Sequence, residues 1–347
     1  MKPSNKPVVG PEQHIPKVRA LLRRFDEIVS QELTEYSVES LAPRVHIIEP
    51  KSQGLRGPGA NDVIITISAL IHGVEVAGLA VLVQLLELVT RGELRLEGRV
   101  GIALGNIPAA EAAVRFVERD LNRSFGRTAT ETAEDRRADE LERLFSRSWR
   151  LLDLHQVKLP IDRPFWIFPF TRKGYEFARA VGPDVTLITH WGKGFSQDGK
   201  CSDEWVNSLG STGVTIELGQ NGFDPSQVSQ GIKIVRRAIE IAMFQAAGGT
   251  VARPTGSLAP IYTWGEIVPY PQTGEPVLDI GWHNFKIVKA GERLGCFQGH
   301  DIKATTTGPV LFPKYPDPLP DGTYAKSPPA AELVRILREI SESDLPA

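Results

Sequence analysis

The sequence predicts an α/β protein in which an open mixed sheet is flanked by helices and followed by a small C-terminal all-β domain. Strand-like and helix-like segments alternate through the first two thirds of the chain, which is typical of a sheet covered by helices. Shorter strand-like runs separated by turns follow residue 248, which is typical of a small all-β unit. The chain has 347 residues, of which 41% are hydrophobic, and this is enough for one large and one smaller domain.

The predicted strands of the larger domain are short apolar runs. Residues 63–70 are almost continuously apolar, as in a strand that is buried on both faces. Residues 14–33 instead carry apolar side chains at helical spacing, among them Val18, Leu21 and Phe25. The predicted strands are 45–48, 63–70, 100–104, 149–154, 185–189 and 213–218, and the predicted helices are 14–33, 76–89, 128–147 and 225–245.

A change in composition near residue 248 predicts a domain boundary. We expect residues 1–247 to form the α/β domain and residues 248–325 to form the small β domain. Residues 326–347 are predicted to contain a final helix, from Ala330 to Ser341, that packs back on the body. The strand-like runs of the β domain start near residues 266, 276, 285, 293 and 309.

Composition excludes several classes of function. The chain carries 40 basic and 42 acidic residues, with no basic stripe, so we expect no nucleic-acid partner. Its apolar stretches are too short for a membrane span, and the N-terminus lacks the apolar core of a secretory signal. We therefore expect a cytoplasmic protein whose two cysteines, Cys201 and Cys296, are free thiols. Two cysteines also exclude a cysteine-rich structural zinc site.

A histidine and a glutamate at the end of the second predicted strand are the first candidates for chemistry. His72 ends the strand, and Glu75 follows three positions later, just before a helical pattern. Side chains at this spacing on a turn can reach one ion, and a catalytic zinc uses three protein ligands and keeps one position for water. His155 and Glu217 also lie at strand ends. Since ligands bind at the carboxyl ends of strands in such sheets, these residues can meet at one rim.

Each of these residues also has a structural interpretation. His72 alone could be a turn histidine, His155 a core histidine bonded to a carbonyl group, and Glu217 a salt-bridged core residue. Their joint placement at strand ends favours a site. A glutamate between Ile216 and Leu218 is rarely buried unless it is paired or functional.

Four segments, taken together and in this order, resemble the succinylglutamate desuccinylase/aspartoacylase family, a branch of the zinc carboxypeptidase superfamily. About 80 residues separate Glu75 from His155, a spacing that favours this branch over the secreted carboxypeptidases. The resemblance extends from about residue 63 to residue 313, including two segments that look like that family's C-terminal β domain. The four segments are His72-x-x-Glu75, Arg115 with Asp120-Leu-Asn-Arg123, Asp153-Leu-His155 and Ile216-Glu217-Leu218, and the two C-terminal ones are 285–292 and 310–314.

The resemblance implies a zinc-carboxypeptidase-like fold with one zinc ion per subunit. His72, Glu75 and His155 would be the ligands, and the ion would lower the pKa of bound water toward about 7. Glu217 would act as general base and then pass the proton to the departing amine. Asp120 would hydrogen-bond the outer nitrogen of His72 and fix its tautomer.

The resemblance also implies roles for three residues between these segments. Arg115 would polarise the substrate carbonyl and stabilise the oxyanion, although the sequence also allows a surface arginine on a helix. Asn122 and Arg123 would hold the substrate carboxylate, although Asp120 and Asn122 would equally suit a loop-to-helix cap. Asp153 fits either a contact behind the metal ligands or a structural ion pair.

The chain departs from the family pattern at three places. Val74 replaces an asparagine, and Gln156-Val-Lys-Leu-Pro replaces small hydroxyl residues after His155. Residues 191–214 contain neither the tyrosine nor the arginine that grips the side-chain carboxylate in aspartoacylases. They contain Lys193 and Lys200 in a glycine-rich loop, which is either a lid that contributes specificity or a flexible connection.

An aromatic cluster, Phe165–Phe170, indicates either core packing or the wall of an apolar substrate pocket.

We expect a zinc-dependent amidohydrolase, or deacylase, that acts on an N-acyl amino acid or a similar small carboxylate-bearing amide. The resemblance is also compatible with a homo-oligomer. The alternatives are a carboxypeptidase-like peptidase and a catalytically inactive homologue that binds a metal or a ligand.

Overall fold

The computed structural model describes residues 11–31, 33–59, 61–192, 199–252, 257–271, 277–315 and 332–347. Its main feature is a mixed sheet that contains twelve strands within these ranges, in the order β1-β2-β4-β3-β5-β8-β6-β7-β9-β14-β13-β10, while β11 and β12 form a separate hairpin. The strands are β1 Tyr36–Ala42, β2 Val45–Pro50, β3 Ile65–Ala69, β4 Val100–Leu104, β5 Arg150–Val157, β6 Phe165–Pro169, β7 Thr186–His190, β8 Thr212–Gln220, β9 Ile261–Pro269, β10 Ile287–Val288, β11 Arg293–Phe297, β12 His300–Lys303, β13 Gly308–Leu311 and β14 Glu332–Ile340.

Helices cover both faces of this sheet, as the sequence predicts. In β5, Leu152 and Leu154 belong to the large core under α2 and α7, whereas Leu151 belongs to a second core under α4. Alternate residues of a strand point to opposite faces, so both faces of β5 are buried. The helices are α1 Pro11–Ser30, α2 Ala77–Thr90, α3 Ile107–Glu111, α4 Ala133–Phe145, α5 Arg172–Val181, α6 Ser202–Ser208 and α7 Pro225–Ala246, with single 3₁₀ turns at Leu121–Arg123 and Glu342–Asp344.

The local chemistry explains where several elements begin. The helix predicted from residue 128 starts at Ala133, because the Thr132 hydroxyl accepts the Asp135 N–H and the Asp135 carboxylate accepts the Thr132 N–H. At the start of α2, the Gln156 side-chain oxygen accepts the Ala77 N–H, at 2.9 Å. Capping side chains, whether from the helix start itself or from a neighbouring strand, accept hydrogen bonds from N–H groups that have no acceptor within the helix.

The aromatic run Phe165–Phe170 begins with strand β6. Phe165, Trp166 and Phe168 are fully buried, and Trp166 and Phe168 belong to the large core. These rings therefore pack inside the protein, which favours core packing over a substrate pocket. The sequence prediction missed β6 as a strand, since an aromatic run does not show the alternation of polar and apolar residues that marks most strands.

The predicted final helix is wrong. Residues 332–340 form the strand β14, which pairs antiparallel with β9 and β13. The run of leucine, glutamate and arginine suits a helix, but β9 and β13 leave a position between them that only a strand can fill. Five consecutive residues, 333–337, are buried there. The division at residues 247 and 248 stays a prediction, while the sheet itself continues across it through the pairing of β7 with β9.

None of the helices in the described part of the chain combines the length and the apolar character needed to cross a membrane.

Replacing Phe168 with alanine tests its assignment to the core. Phe168 is 0% exposed, so we expect Phe168→Ala to lower the free energy of unfolding by about 3–5 kcal/mol, measured by urea denaturation. Phe244→Ala is the matched control, because Phe244 is 53% exposed and should change the stability much less. Equal losses in the two variants would contradict the assignment.

Candidate metal centre

His72 and Glu75 lie in the turn that connects β3 to α2. Gly73 between them is required by close packing: a Cβ atom at this position would lie 2.2 Å from the carbonyl carbon of Ala109. The Gly73 N–H donates to the carbonyl oxygen of Arg115, at 3.0 Å. The turn is therefore fixed against α3 and the loop that follows it, which holds both side chains in place.

Strand order brings the other candidates to this turn. β5 lies next to β3, with Leu154 opposite Ala69, and β8 lies next to β5, with Glu217 opposite His155. These three strands are parallel, so their carboxyl ends lie at one edge of the sheet. β5 and β8 extend beyond the predicted ends, to Val157 and Gln220. His155 therefore lies within a strand rather than after it, while Glu217 lies within its strand as predicted.

The carboxylate of Glu75 lies between two imidazole rings. Its Oε1 is 2.7 Å from Nδ1 of His72, and its Oε2 is 2.8 Å from Nδ1 of His155. All three side chains are buried, and one ligand atom from each lies within 4.8 Å of the others. Two imidazole nitrogens and a carboxylate oxygen are the donor set of many catalytic zinc sites, so this group could hold such an ion.

The outer nitrogen of each imidazole faces a second carboxylate. Nε2 of His72 is 3.0 Å from Asp120, and Nε2 of His155 is 3.0 Å from Asp153. Such pairs fix the tautomer and the orientation of metal-binding histidines. The carboxylate of Asp153 in turn accepts hydrogen bonds from two hydroxyl groups, those of Ser68, at 2.6 Å, and Ser202. Asp153 therefore contacts His155, one of the three residues that could hold a metal, as one of its two interpretations required.

Opposite charges determine the ionisation of the group. Burial alone would raise the pKa of Glu75, but the imidazoles of His72 and His155 hold it well below its usual range. Burial opposes the charge on His155, yet Asp153 and Glu75 together raise its pKa well above the ordinary value. Because metals bind neutral imidazole, metal binding would release a proton from this group.

Unlike the carboxyl group of Glu75, that of Glu217 has a raised pKa. Glu217 is 8% exposed, and its Oε2 has no hydrogen-bond partner within the residues that the structure describes. Burial, and then the negative charge of Glu75, raise the pKa of Glu217 to about 8. A carboxyl group of this kind can exchange a proton near neutral pH, as general acid–base catalysis requires.

Arg115 lies in the loop between α3 and the 3₁₀ turn, not on a helix. Its Nη1 donates to Glu75 and its Nη2 to Asp120, both at 3.3 Å, while about half of its side chain stays exposed. It therefore spans from the buried group to solvent. A guanidinium in this position can meet an oxygen that approaches the site from outside.

Asn122 and Arg123 lie in the 3₁₀ turn, and Asp120 caps it by accepting the Asn122 N–H at 2.9 Å. Asp120 thus provides both the predicted cap and the predicted contact with His72. The Asn122 side-chain oxygen accepts the Ser202 N–H at 3.0 Å, which orients the amide. Nη1 of Arg123 donates to Sγ of Cys201 at 3.1 Å.

Two contributors to this site have no clear signal in the sequence. Ser202 lies 47 residues beyond His155, and only the fold places it between Asp153 and Asn122. Gln156 was identified as a departure from the family pattern. Its N–H donates to Glu75 at 3.1 Å, and its side chain bonds to Gln227 at 2.6 Å. A glutamine in a continuously buried strand was the available clue.

The sequence placed two lysines, Lys193 and Lys200, in the loop after β7. Lys193 lies outside the described residues. Lys200 is exposed, and its ammonium group donates to the Ser208 hydroxyl at 3.1 Å. Cys201 and Cys296 are both free thiols, as predicted.

Comparison with known proteins identifies a common family. A model of the succinylglutamate desuccinylase/aspartoacylase catalytic domain matches residues 62–242. A succinylglutamate desuccinylase of Pseudomonas fluorescens is 30% identical over 223 residues, which cover 59% of this chain and 64% of that protein. One of Pseudomonas paraeruginosa is 32% identical over 219 residues, covering 58% and 63%. The chain thus spans a little less than two thirds of these relatives.

The fold also has counterparts among solved structures. The succinylglutamate desuccinylase from Chromobacterium violaceum superposes with a TM-score of 0.67 at 19% identity, covering 93% of this chain and 98% of that one. At this level of identity the likeness concerns the fold alone. It supports the predicted open mixed sheet flanked by helices.

A buried acid beside this site gives a testable dependence of stability on pH. Asp203, at the start of α6, is 4% exposed and accepts hydrogen bonds from Thr215, at 3.0 Å, and from the Glu204 N–H, at 2.8 Å. Burial, and then the charge of Glu204, raise the pKa of Asp203 to about 7. In the unfolded chain an aspartate titrates near pH 3.9.

Between about pH 4 and about pH 7 the folded chain therefore keeps a proton on Asp203 that the unfolded chain releases, so stability falls as the pH rises. We expect Asp203→Asn to reduce this slope by up to about 1.4 kcal/mol per pH unit, the value for one proton linked to folding. Urea denaturation across this pH range measures the slope. Asp184→Asn, at an exposed position, is the control, and an unchanged slope in Asp203→Asn would contradict the assignment.

Proposed function

Because the chain belongs to the succinylglutamate desuccinylase/aspartoacylase family, we propose that it is a zinc-dependent amidohydrolase that cleaves the amide bond of an N-acyl amino acid or a similar small carboxylate-bearing amide. One observation supports this more than any other. A buried His–Glu–His donor group lies beside a carboxylate, Glu217, that has an oxygen free of partners in the described structure. The first can hold a metal, and the second can move a proton.

The donor set fits zinc. His72, Glu75 and His155 offer two nitrogens and one oxygen, and both imidazoles are backed by carboxylates. When bound, zinc supplies Lewis-acid chemistry, which polarises a carbonyl group and makes water more acidic. Burial excludes competing solvent and strengthens each of these interactions.

Glu217 acts as the proton-transfer group. The partner-free Oε2 accepts a proton from the attacking water and returns it to the amine nitrogen as the amide bond breaks. The raised pKa of Glu217 describes the chain without a cation. With a cation bound near Glu75 that pKa would be lower, and the carboxylate form of Glu217 would be available as a base near neutral pH.

Arg115 and the 3₁₀ turn orient the substrate. Arg115 reaches from Glu75 toward solvent, so its guanidinium stabilises negative charge on the carbonyl oxygen. Arg123 and Asn122 bind the substrate carboxylate, since a planar guanidinium and an amide match its two oxygens. Arg123 is held by Cys201, and Asn122 by Ser202, so the anchor is fixed before substrate binds.

Replacement of Glu217 tests the catalytic assignment. We expect Glu217→Gln to retain zinc, because the ligands are untouched, and to lose turnover by about 10²–10⁴-fold. Zinc content is measured by elemental analysis and turnover by amine release. Glu240→Gln, on the exposed face of α7, should match wild type in both. Wild-type turnover in Glu217→Gln would refute the mechanism.

A substrate panel separates this function from its alternatives. We expect hydrolysis of at least one class among N-acetyl, N-succinyl and N-aromatic-acyl amino acids, and none of tripeptides. Hydrolysis of tripeptides alone would instead indicate a peptidase. Zinc binding without hydrolysis of any of them would indicate an inactive binding homologue.

Ser202 offers a test of how the metal ligands are supported. Its hydroxyl donates to Asp153, which holds His155. We expect Ser202→Ala to weaken zinc binding by about ten-fold, because contacts behind metal ligands usually contribute that much. Competition with a chelating dye measures the affinity. Ser208→Ala, at the other end of α6, is the control, and equal affinities in the two variants would contradict this support role.

A further inference from the structure

Arg150 lies at the opposite end of β5 from the candidate metal centre. It is the first residue of the strand, and His155 follows five residues later, about 17 Å along the chain. Arg150 shares a strand face with Leu152 and Leu154, under α5 and α7, whereas His155 points to the other face. Arg150 and the metal centre are therefore separated by both the length and the thickness of the sheet.

The guanidinium of Arg150 is buried but has no carboxylate partner in the described structure. The side chain is 5% exposed. Its central carbon lies 4.0 Å from the ring centre of Trp149 and 4.5 Å from that of Phe177, so aromatic rings lie against it. Nη2 donates to the Gln245 side-chain oxygen at 2.8 Å, and Nε has no partner.

Other buried arginines of the described chain have more polar partners than Arg150, although Nε of Arg99 and Nε of Arg179 also lack a hydrogen-bond partner. Arg99 forms ion pairs with Glu39, Glu49 and Asp62, and Arg335 pairs with Glu332. Arg179 donates to three backbone carbonyl groups. Buried charges are normally paired, because an unpaired charge in a protein interior is costly. Arg150, whose one hydrogen bond goes to a neutral amide, is the least compensated of these buried arginines, which is consistent with an anion partner from outside the chain.

A cavity of about 250 Å³ lies beside this guanidinium. Trp149, Phe177 and Gln245 line it together with Arg150, and α5 adds the exposed Lys173 and Glu176. Lys173 favours an anion, whereas Glu176 opposes one, so the lining carries a net positive charge of one. The cavity is slightly smaller than most ligand pockets, which favours a small occupant.

We propose that this cavity is a binding site for a small organic monocarboxylate, with Arg150 as its cationic partner. Two aromatic rings lie against the guanidinium, and its Nε has no hydrogen-bond partner in the described structure. The planar edge of a guanidinium matches the two oxygens of a carboxylate. A monocarboxylate balances the single net charge of the lining. Burial lowers the pKa of Arg150 only to about 10, so the side chain remains a cation at neutral pH. This site is independent of the proposed amidohydrolase activity.

Acetate and the indole N–H signal of Trp149 provide a local test. The signal is assigned in ¹⁵N-labelled protein by its loss in Trp149→Phe. We expect it to shift saturably with sodium acetate and not with sodium chloride at equal ionic strength. The response should be lost in Arg150→Met and retained in Arg123→Met, which removes the carboxylate anchor of the other site.

Arg150→Lys keeps the proposal testable if Arg150→Met does not fold. Lysine keeps the charge but loses the planar edge, so we expect saturation to need at least about ten-fold more acetate. Equal acetate responses in wild type and in either Arg150 variant would overturn the proposal. So would a response of the Trp149 signal to acetate that is no larger than its response to chloride, or one that disappears in Arg123→Met.

Discussion

The position of one carboxylate, that of Glu75 between two imidazoles, is the constraint from which the rest of the site follows. A charge buried to this extent must be compensated, because desolvation in the interior costs several kcal/mol. Each oxygen of Glu75 meets one histidine, at 2.7 and 2.8 Å, and Oε2 also accepts the Gln156 N–H. The histidines in turn require their own partners, which are Asp120 and Asp153.

The fold meets this constraint with contributions from distant parts of the chain. β3, β5 and β8 lie side by side, and they bring the turn that carries His72 together with His155 and Glu217. α6 adds Ser202, whose hydroxyl reaches Asp153 and whose N–H reaches Asn122. One residue therefore connects the support of the proposed metal ligands with the proposed carboxylate anchor. A shift of α6 would disturb both, which links the geometry of the two halves of the site.

Sequence reasoning predicted the elements that are dominated by local pattern. The strand at residues 100–104 and the helices near α2 and α7 were predicted closely, because apolar runs and helical spacing are local properties. His72, Glu75, His155 and Glu217 were identifiable because strand ends in a parallel sheet share an edge. The structure brings these four together, and their roles remain the proposal made above.

What sequence reasoning missed depends on contacts between distant segments. β14 has the composition of a helix, and its strand form is stabilised by pairing with β9 and β13. Ser202 is an ordinary helix-start serine until the fold places Asp153 beside it. The missing anion partner of Arg150 cannot be seen in a sequence either, since an arginine among apolar residues usually finds a carboxylate elsewhere in the chain.

X-ray absorption at the zinc edge of the zinc-loaded chain tests the central claim most directly. If His72, Glu75 and His155 hold the ion, the spectrum contains two imidazole nitrogens at about 2.0–2.1 Å, oxygen ligands at about 2.0–2.2 Å, and no sulfur. Loss of one imidazole contribution in His155→Ala would identify the ligand. A sulfur shell at about 2.3 Å, or a spectrum with no imidazole contribution, would contradict the account.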